Sequence, residues 1–376
     1  MPQIDFNAPV RRSLAMVAAW LVIVNVFALL VFNRLNLAPD TSMEWMSPGN
    51  VRPVSQDWNI IDLHNRWDSY WYLDIARNGY YLRGETGQAN VVFFPLYPLL
   101  VRLTAPLAAG DLVLAGWMVS SLFLALAVCM LVRLTQEFHP GIDPMRPALF
   151  LLAYPAAFFL NAVYSESLFL YLSLAMVLYA RRRNFLPAAV FAGLASATRV
   201  AGAFLFVLLL VEFIHANGWR ALFTRRVWPL ALAPVGILVF FVYHWIAFDN
   251  FFLYVKVQST YGRDFAMEAA DFKFRNGPDI VVTVLDWFFI AAAALMGLIA
   301  ILRLRLSYGV YMLVSLGIAL GSGSFLGAAR YSMVLFPIHL IGAGIGSAVG
   351  RGAWLFGSTL LLALDIICFV NHYWAG

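Results

Sequence analysis

Asp68 stands in the stretch HNRWDSYWYLDIARNGYY, residues 64–81, with tryptophan before it and tyrosine and tryptophan after. A carboxylate beside an apolar, aromatic face is poorly solvated, and such a group can act as a base toward a hydroxyl. Arg199 follows GLASAT and Arg330 opens RYSMVLFPIHL, so each lies in a very short turn against hydrophobic runs. An arginine in such a place is costly and usually faces a cavity or a partner. Its planar fork of donors matches phosphate oxygens. Glu166 is a fourth charged group of this kind, in AVYSESLFLYL, where Tyr164-Ser165-Glu166-Ser167 interrupts two apolar runs.

Each group also has a plainer reading. Arg199 and Arg330 can snorkel to lipid headgroups or pair with a carboxylate such as Glu166. Ser165 can cap the helix that follows, whose dipole would favour Glu166 in its first turn. Asp68 can be a capping or solvated residue beside an aromatic anchor. His64 can hydrogen-bond a substrate, although a lone histidine is more often structural. Asp57, Asp62 and Asp74 have no equally constrained setting.

The elements that must position these groups are membrane helices. The chain is 62% hydrophobic and 12% charged, against about 25% charged in soluble domains. Its mean hydropathy is +0.78. Apolar runs of roughly 20 residues recur along its length, the mark of an all-α polytopic membrane protein. About 11 transmembrane helices are expected, near 14–32, 111–132, 147–163, 168–180, 187–198, 200–215, 227–247, 281–302, 306–324, 331–349 and 353–370. The first follows Arg11-Arg12 and reads as a retained helix, since it is long for a signal peptide and lacks a cleavage site. The run 93–109, FFPLYPLLVRLTAPLAA, holds three prolines and Arg102; it reads as lying at or dipping into the membrane surface, with a full span as the alternative. No linker, low-complexity tract or internal repeat divides the chain, so residues 1–376 read as one membrane domain. Cys129 and Cys368 fall in apolar runs and suggest neither a disulfide nor a metal site.

With a cytoplasmic N-terminus and alternating helices, the inner loops hold Arg11-Arg12, Arg133 with Arg146, Arg181-Arg182-Arg183, Arg220 with Arg225-Arg226, Arg303 with Arg305, and Arg351. That distribution is what the positive-inside rule asks. Outside fall a large first loop (34–110), the turn at 164–167, the turn at Thr198-Arg199, a loop at 249–280 and the turn ending in Arg330. The polar chemistry therefore collects on the extracytoplasmic face. Within the first loop, Trp67, Tyr70, Trp71 and Ile75 recur at helical steps, an aromatic face typical of an interfacial helix.

Taken in order, RWDSYWYLDIARNGYY, FFPLYPLL, AVYSESLFLYLSL, GLASATRVAGAFL and RYSMVLFPIHL resemble the PIG-V-type mannosyltransferases and their bacterial relatives, members of the GT-C class of membrane glycosyltransferases. The resemblance runs from about residue 64 to residue 340, and 249–280 carries no recognised family pattern. It implies a GT-C-type helical bundle and an inverting transfer of mannose from a polyprenyl-phosphate donor. The acceptor would be a lipid-linked or other membrane molecule on the extracytoplasmic face, and no nucleotide sugar would be used. The resemblance carries the family's acidic base onto Asp68. It also makes Ser165, Glu166, Arg199, Arg330 and Tyr331 parts of the active-site cavity.

That assignment agrees with the chemistry of the residues. Arg199 and Arg330 would stabilise the departing phosphate. Asp68 would take the proton of the acceptor hydroxyl, across an oxocarbenium-like transition state. Trp71 and Tyr72 can stack on the sugar or prenyl chain. There is no HExxH, no Cys/His pairing and no DxD-like signature, so neither a metal nor another cofactor is expected. The expected partners are the lipid donor, a membrane acceptor and the bilayer, not nucleic acid. GAGIGSAVG (342–350) reads as small-residue helix packing. Two alternatives stand beside this reading. A lipid-linked-sugar flippase would show charges near the bilayer midplane and paired broken helices, and a non-catalytic scaffold would have no use for Asp68 together with both arginines.

Overall fold

The computed structural model describes residues 7–32, 60–82, 89–258, 280–321, 327–371 and 373. Among them, helices alternate with short 3-10 turns and no strand occurs. The order begins with α1 (Asn7–Val31), α2 (Ser69–Asn78), α3 (Leu96–Thr104), α4 (Leu112–Phe138) and α5 (Arg146–Leu152). It continues with α6 (Glu166–Arg181), α7 (Phe185–Ser196), α8 (Ala201–Asn217), α9 (Val235–Phe248) and α10 (Leu253–Gln258). It ends with α11 (Ile280–Arg303), α12 (Leu306–Gly321), α13 (Ala328–Met333), α14 (Pro337–Ala343) and α15 (Ala348–Val370). Most of the loop 249–280, and Asp57, lie outside the described residues.

Four described helices are long and apolar enough to cross a membrane alone: Ala8–Val31, Leu112–Phe138, Val284–Arg303 and Ala348–Val370. A fifth is gained if Arg225–Leu232 and α9, bent by 54° at their junction, are one span. The protein is a multi-pass membrane protein, with fewer full-length spans than the expected count. The shortfall has a local cause. Proline lacks a donor and pushes the residue before it out of helical backbone. The run 147–163 therefore breaks at Tyr154-Pro155 into α5 and the 3-10 turn Ala157–Leu160, and 331–349 breaks before Pro337 into α13 and α14. The bend in 227–247 falls at Pro234. The proline-rich run 93–109 forms one short helix, Leu96–Ala108, about 20 Å long at 1.5 Å per residue and too short for a ~30 Å hydrocarbon core.

Contacts group the chain into two compact units that interleave in sequence. The first takes Met1–Gly79, Tyr97–Leu174 and Gly342–Gly376. Its frame is α1, α4 and α15. Asp111 opens α4 by accepting from the Val113 and Leu114 amides at 2.9 and 3.1 Å, which satisfies amides that lack helical partners. Trp20 Nε1 donates to the Leu152 carbonyl (2.8 Å), and Asn371 Nδ2 donates to the carbonyl that ends α1, Val31 (3.0 Å). The aromatic face of α2 is covered by protein: Tyr70, Trp71, Tyr72 and Ile75 are all buried.

The second unit takes Tyr80–Leu96 and Ala175–Ile341. Here α7 and α9 approach backbone to backbone, because a Cβ at Gly236 would collide with the Gly193 carbonyl and the Ala197 amide. Glu212 on α8 accepts from Arg305 through both oxygens, the Nη2 bond measuring 2.9 Å, and from Ser307 Oγ. That cluster ties α8 to the start of α12.

Candidate active site

Asp68 sits at the N-cap of α2, half-buried, yet its carboxylate makes no hydrogen bond to the amides it would cap. The capping explanation for this residue therefore lapses. Its backbone is held from another element. The Tyr164 hydroxyl accepts from the Asp68 amide (3.1 Å) and donates to the Arg66 carbonyl (2.9 Å). Between those anchor points Trp67 has φ of 55°, a left-handed conformation that costs an L-residue about 1–2 kcal/mol. Arg66 is buried and curls back onto carbonyls of its own chain, donating to Asp62 and, at 2.9 Å, to Asn65.

His64 is fully buried, with its Nε2 in a polar network of protein side chains. Its Nε2 lies 2.7 Å from Asn25 Oδ1 and 3.0 Å from Asn161 Nδ2. Trp117 Nε1 donates to Asn161 Oδ1 (2.8 Å), and the Trp117 ring stacks on His64 at 4.7 Å. Burial pushes the imidazole down to about 3, so it is neutral at any physiological pH. The Val163 amide donates to the His64 carbonyl (3.1 Å), joining this network to the segment that carries Tyr164.

Ser165, Glu166 and Ser167 are buried at the start of α6. The Ser165 hydroxyl is hydrogen-bonded to the Tyr72 hydroxyl at 3.0 Å, and Tyr72 meets the Tyr97 ring edge-on at 5.1 Å. Tyr97 in turn bonds Ser120 Oγ (2.8 Å), whose own hydroxyl donates to the Tyr164 carbonyl (3.2 Å). Trp71 and Tyr72 are thus wall residues, 1% and 6% exposed, with little surface left to stack on a ligand.

In the second unit, Arg199 lies in the junction between α7 and α8. The junction is tight because a Cβ at Gly202 would collide with the Ala195 carbonyl. Arg330 lies on α13, entered through Gly327, whose φ of 83° glycine adopts without strain. The first amide of α13, Ala328, donates to the buried Asp286 Oδ1 at 3.0 Å. The two arginines come together over one residue. The Arg199 guanidinium lies 5.4 Å and the Arg330 guanidinium 5.5 Å from the centre of the Tyr331 ring. Both are within cation–π range, and the two cationic carbons can be no more than about 11 Å apart. Among the described residues, no group of three or more His, Cys, Asp or Glu is placed to hold a metal ion.

The sequence model of the family described as Mannosyltransferase (PIG-V) matches residues 14–225, more than half of the chain. The chain belongs to that family. It is 32% identical over 126 residues to GPI mannosyltransferase 2 of Drosophila pseudoobscura pseudoobscura, a match covering 31% of this chain and 27% of that relative. The chain thus spans about a quarter of the curated relative it matches. In structure it resembles ArnT from Cupriavidus metallidurans, solved bound to undecaprenyl phosphate, with a TM-score of 0.53 and 14% identity. That likeness covers 94% of this chain and 64% of ArnT, and it shows a GT-C-type helical fold.

Within the family match lie Asp68, Glu166 and Arg199, while Arg330 and Tyr331 lie beyond it. Two residues gained a structural role that the sequence did not assign them. Tyr164 stands there only as part of the break at 164–167, and Asp286 is not singled out.

Proposed function

We propose that this PIG-V family member is an inverting mannosyltransferase that takes its sugar from a polyprenyl-phosphate carrier on the extracytoplasmic face. The observation that carries the reading is the convergence of Arg199 and Arg330 on Tyr331. Two guanidiniums that both lie close to one ring in an apolar bundle would offer an anion several charged donors. A phosphodiester is an anion whose oxygens match two guanidinium forks. The structural likeness to a protein solved with undecaprenyl phosphate supports a lipid-borne donor.

In the reaction, the acceptor hydroxyl oxygen attacks the anomeric carbon while its proton passes to the Asp68 carboxylate. The bond from that carbon to the phosphate oxygen breaks, and polyprenyl phosphate departs with the electron pair. Arg199 and Arg330 stabilise the growing charge on the leaving phosphate, with Tyr331 fixing where they sit. The guanidiniums do here what a divalent ion does elsewhere, so the transfer needs no metal. Glu166 places a carboxyl group in the first turn of α6. We assign His64, Trp71, Tyr72 and Ser165 to holding α2 and α6 in place, because His64 Nε2 and the Tyr72 and Ser165 hydroxyls are bonded to protein and the Trp71 ring is buried.

The test is Asp68→Asn, assayed in detergent with polyprenyl-phosphate-mannose and a membrane lipid extract, products being read by mass spectrometry. Turnover should fall by about 10²-fold or more, the scale of lost general-base catalysis, while donor affinity stays near wild type. Turnover within a few-fold of wild type would end the assignment of Asp68. A protein that moves lipid-linked sugar without transferring it would give no mannosylated product from the unsubstituted chain.

A further inference from the structure

We propose that Tyr164 is a positioning residue whose hydroxyl clamps the left-handed turn at Trp67 and so sets the Asp68 carboxylate for proton transfer. The proposal rests on the reading of Asp68 as the base. The hydroxyl holds two backbone groups two residues apart, the Arg66 carbonyl at 2.9 Å and the Asp68 amide at 3.1 Å. A donor and an acceptor bridged across Trp67, with its φ of 55°, favour that strained shape over the relaxed one.

The tyrosine is itself fixed. Its ring is buried and meets Phe159 edge-on at 4.9 Å. Its carbonyl accepts from Ser120 on α4, and the residue before it is tied to His64. Asp68 makes no capping bond to α2, so α2 does not set the position of its side chain through the cap. A backbone held in a sparsely populated conformation survives only when its surroundings over-determine it, and the Tyr164 oxygen contacts both sides of Trp67. A shift of about 1 Å at a reacting group can cost about 10²-fold in rate.

Tyr164→Phe removes that oxygen and leaves the ring. In the transfer assay, kcat should fall by about 10- to 100-fold while the KM for polyprenyl-phosphate-mannose stays within about twofold. Hydrogen exchange followed by mass spectrometry should show faster exchange in the peptide holding residues 66–72, and no change in the peptides carrying Asn25 or Asn161. A tyrosine that only supports the fold would instead lower thermal stability with kcat per folded molecule unchanged. Asp68→Asn is run beside it to separate the two claims. If Asp68→Asn loses turnover and Tyr164→Phe keeps it, the clamp is wrong and the base stands. If Asp68→Asn keeps its turnover, the base is wrong and the clamp falls with it, whatever Tyr164→Phe does.

Discussion

The two ends of α8 handle arginine in opposite ways. Near its C-terminal end, Glu212 receives Arg305 through both carboxylate oxygens and takes a third bond from Ser307. The charge is cancelled where it stands, and the Glu212 bond holds the Arg305 guanidinium above its usual range. At its N-terminal end, Arg199 is brought beside Arg330, both over the Tyr331 ring. An aromatic face attracts a cation through the ring quadrupole. One end is built as a joint; under the proposed function the other receives the donor phosphate.

The comparison predicts that the two ends fail differently. Glu212→Ala should give the largest effect. It strands a largely buried guanidinium and should cost about 3 kcal/mol, the low end for breaking a buried pair, since Arg305 keeps 27% of its side chain exposed. Thermal unfolding in detergent should show the loss, with turnover per folded molecule near wild type. Arg199→Ala and Arg330→Ala should reverse that pattern. Each should weaken donor use by about 1.5–3 kcal/mol, the value of a charged hydrogen-bond partner, with the unfolding temperature little changed. Lysine should restore only part, since it lacks the fork. Stable but inactive Glu212→Ala, or unstable but active arginine variants, would break the comparison.

The first unit extends it with a buried polar group that stays neutral. His64 is pushed by burial from 6.5 to about 3, so between those values the unfolded chain binds a proton that the folded chain refuses. Stability should therefore fall as pH drops below 6.5, by about 1.4 kcal/mol per pH unit until about pH 3. His64→Gln should flatten that slope in an acid unfolding series, even if it starts from a lower stability. The smallest expected effect sharpens the other half of the comparison. If two arginines neutralise the leaving phosphate, a chelator should leave the transfer rate unchanged, and a loss restored by a divalent cation would count against them.

Part of this arrangement was legible from residue types. Arg199 and Arg330 stand out in sequence because charged residues in short turns against apolar runs are rare, Tyr331 enters with the family resemblance, and the structure brings the three together. Asp68 stands out among its aromatic neighbours for the same reason. Hydropathy averaging hid the breaks at Pro155 and Pro337, since a window of about 19 residues does not register one missing amide. It also hid long-range partners. Nothing local to Tyr164 announces a hydroxyl that reaches back to Arg66 and Asp68, and nothing near Asp286 announces that it accepts from Ala328. Such bonds belong to the packing of helices far apart in the chain, which periodicity does not encode. His64, read as a possible substrate contact, proved to be surrounded by Asn25, Asn161 and Trp117, from three other parts of the chain.

The shared ring has a consequence for anyone reading a mutant library. Because Arg199 and Arg330 both lie within reach of the same tyrosine, the three positions should behave as one allele in function if they hold the phosphate together. Losing the second arginine should cost less than losing the first, as the shared phosphate site is already broken by then. Tyr331→Leu, which touches no charge, should score like a weakened arginine and should mask either substitution made on top of it. A screen blind to the geometry would find three moderate hits whose effects refuse to sum, and the refusal itself would map the ring.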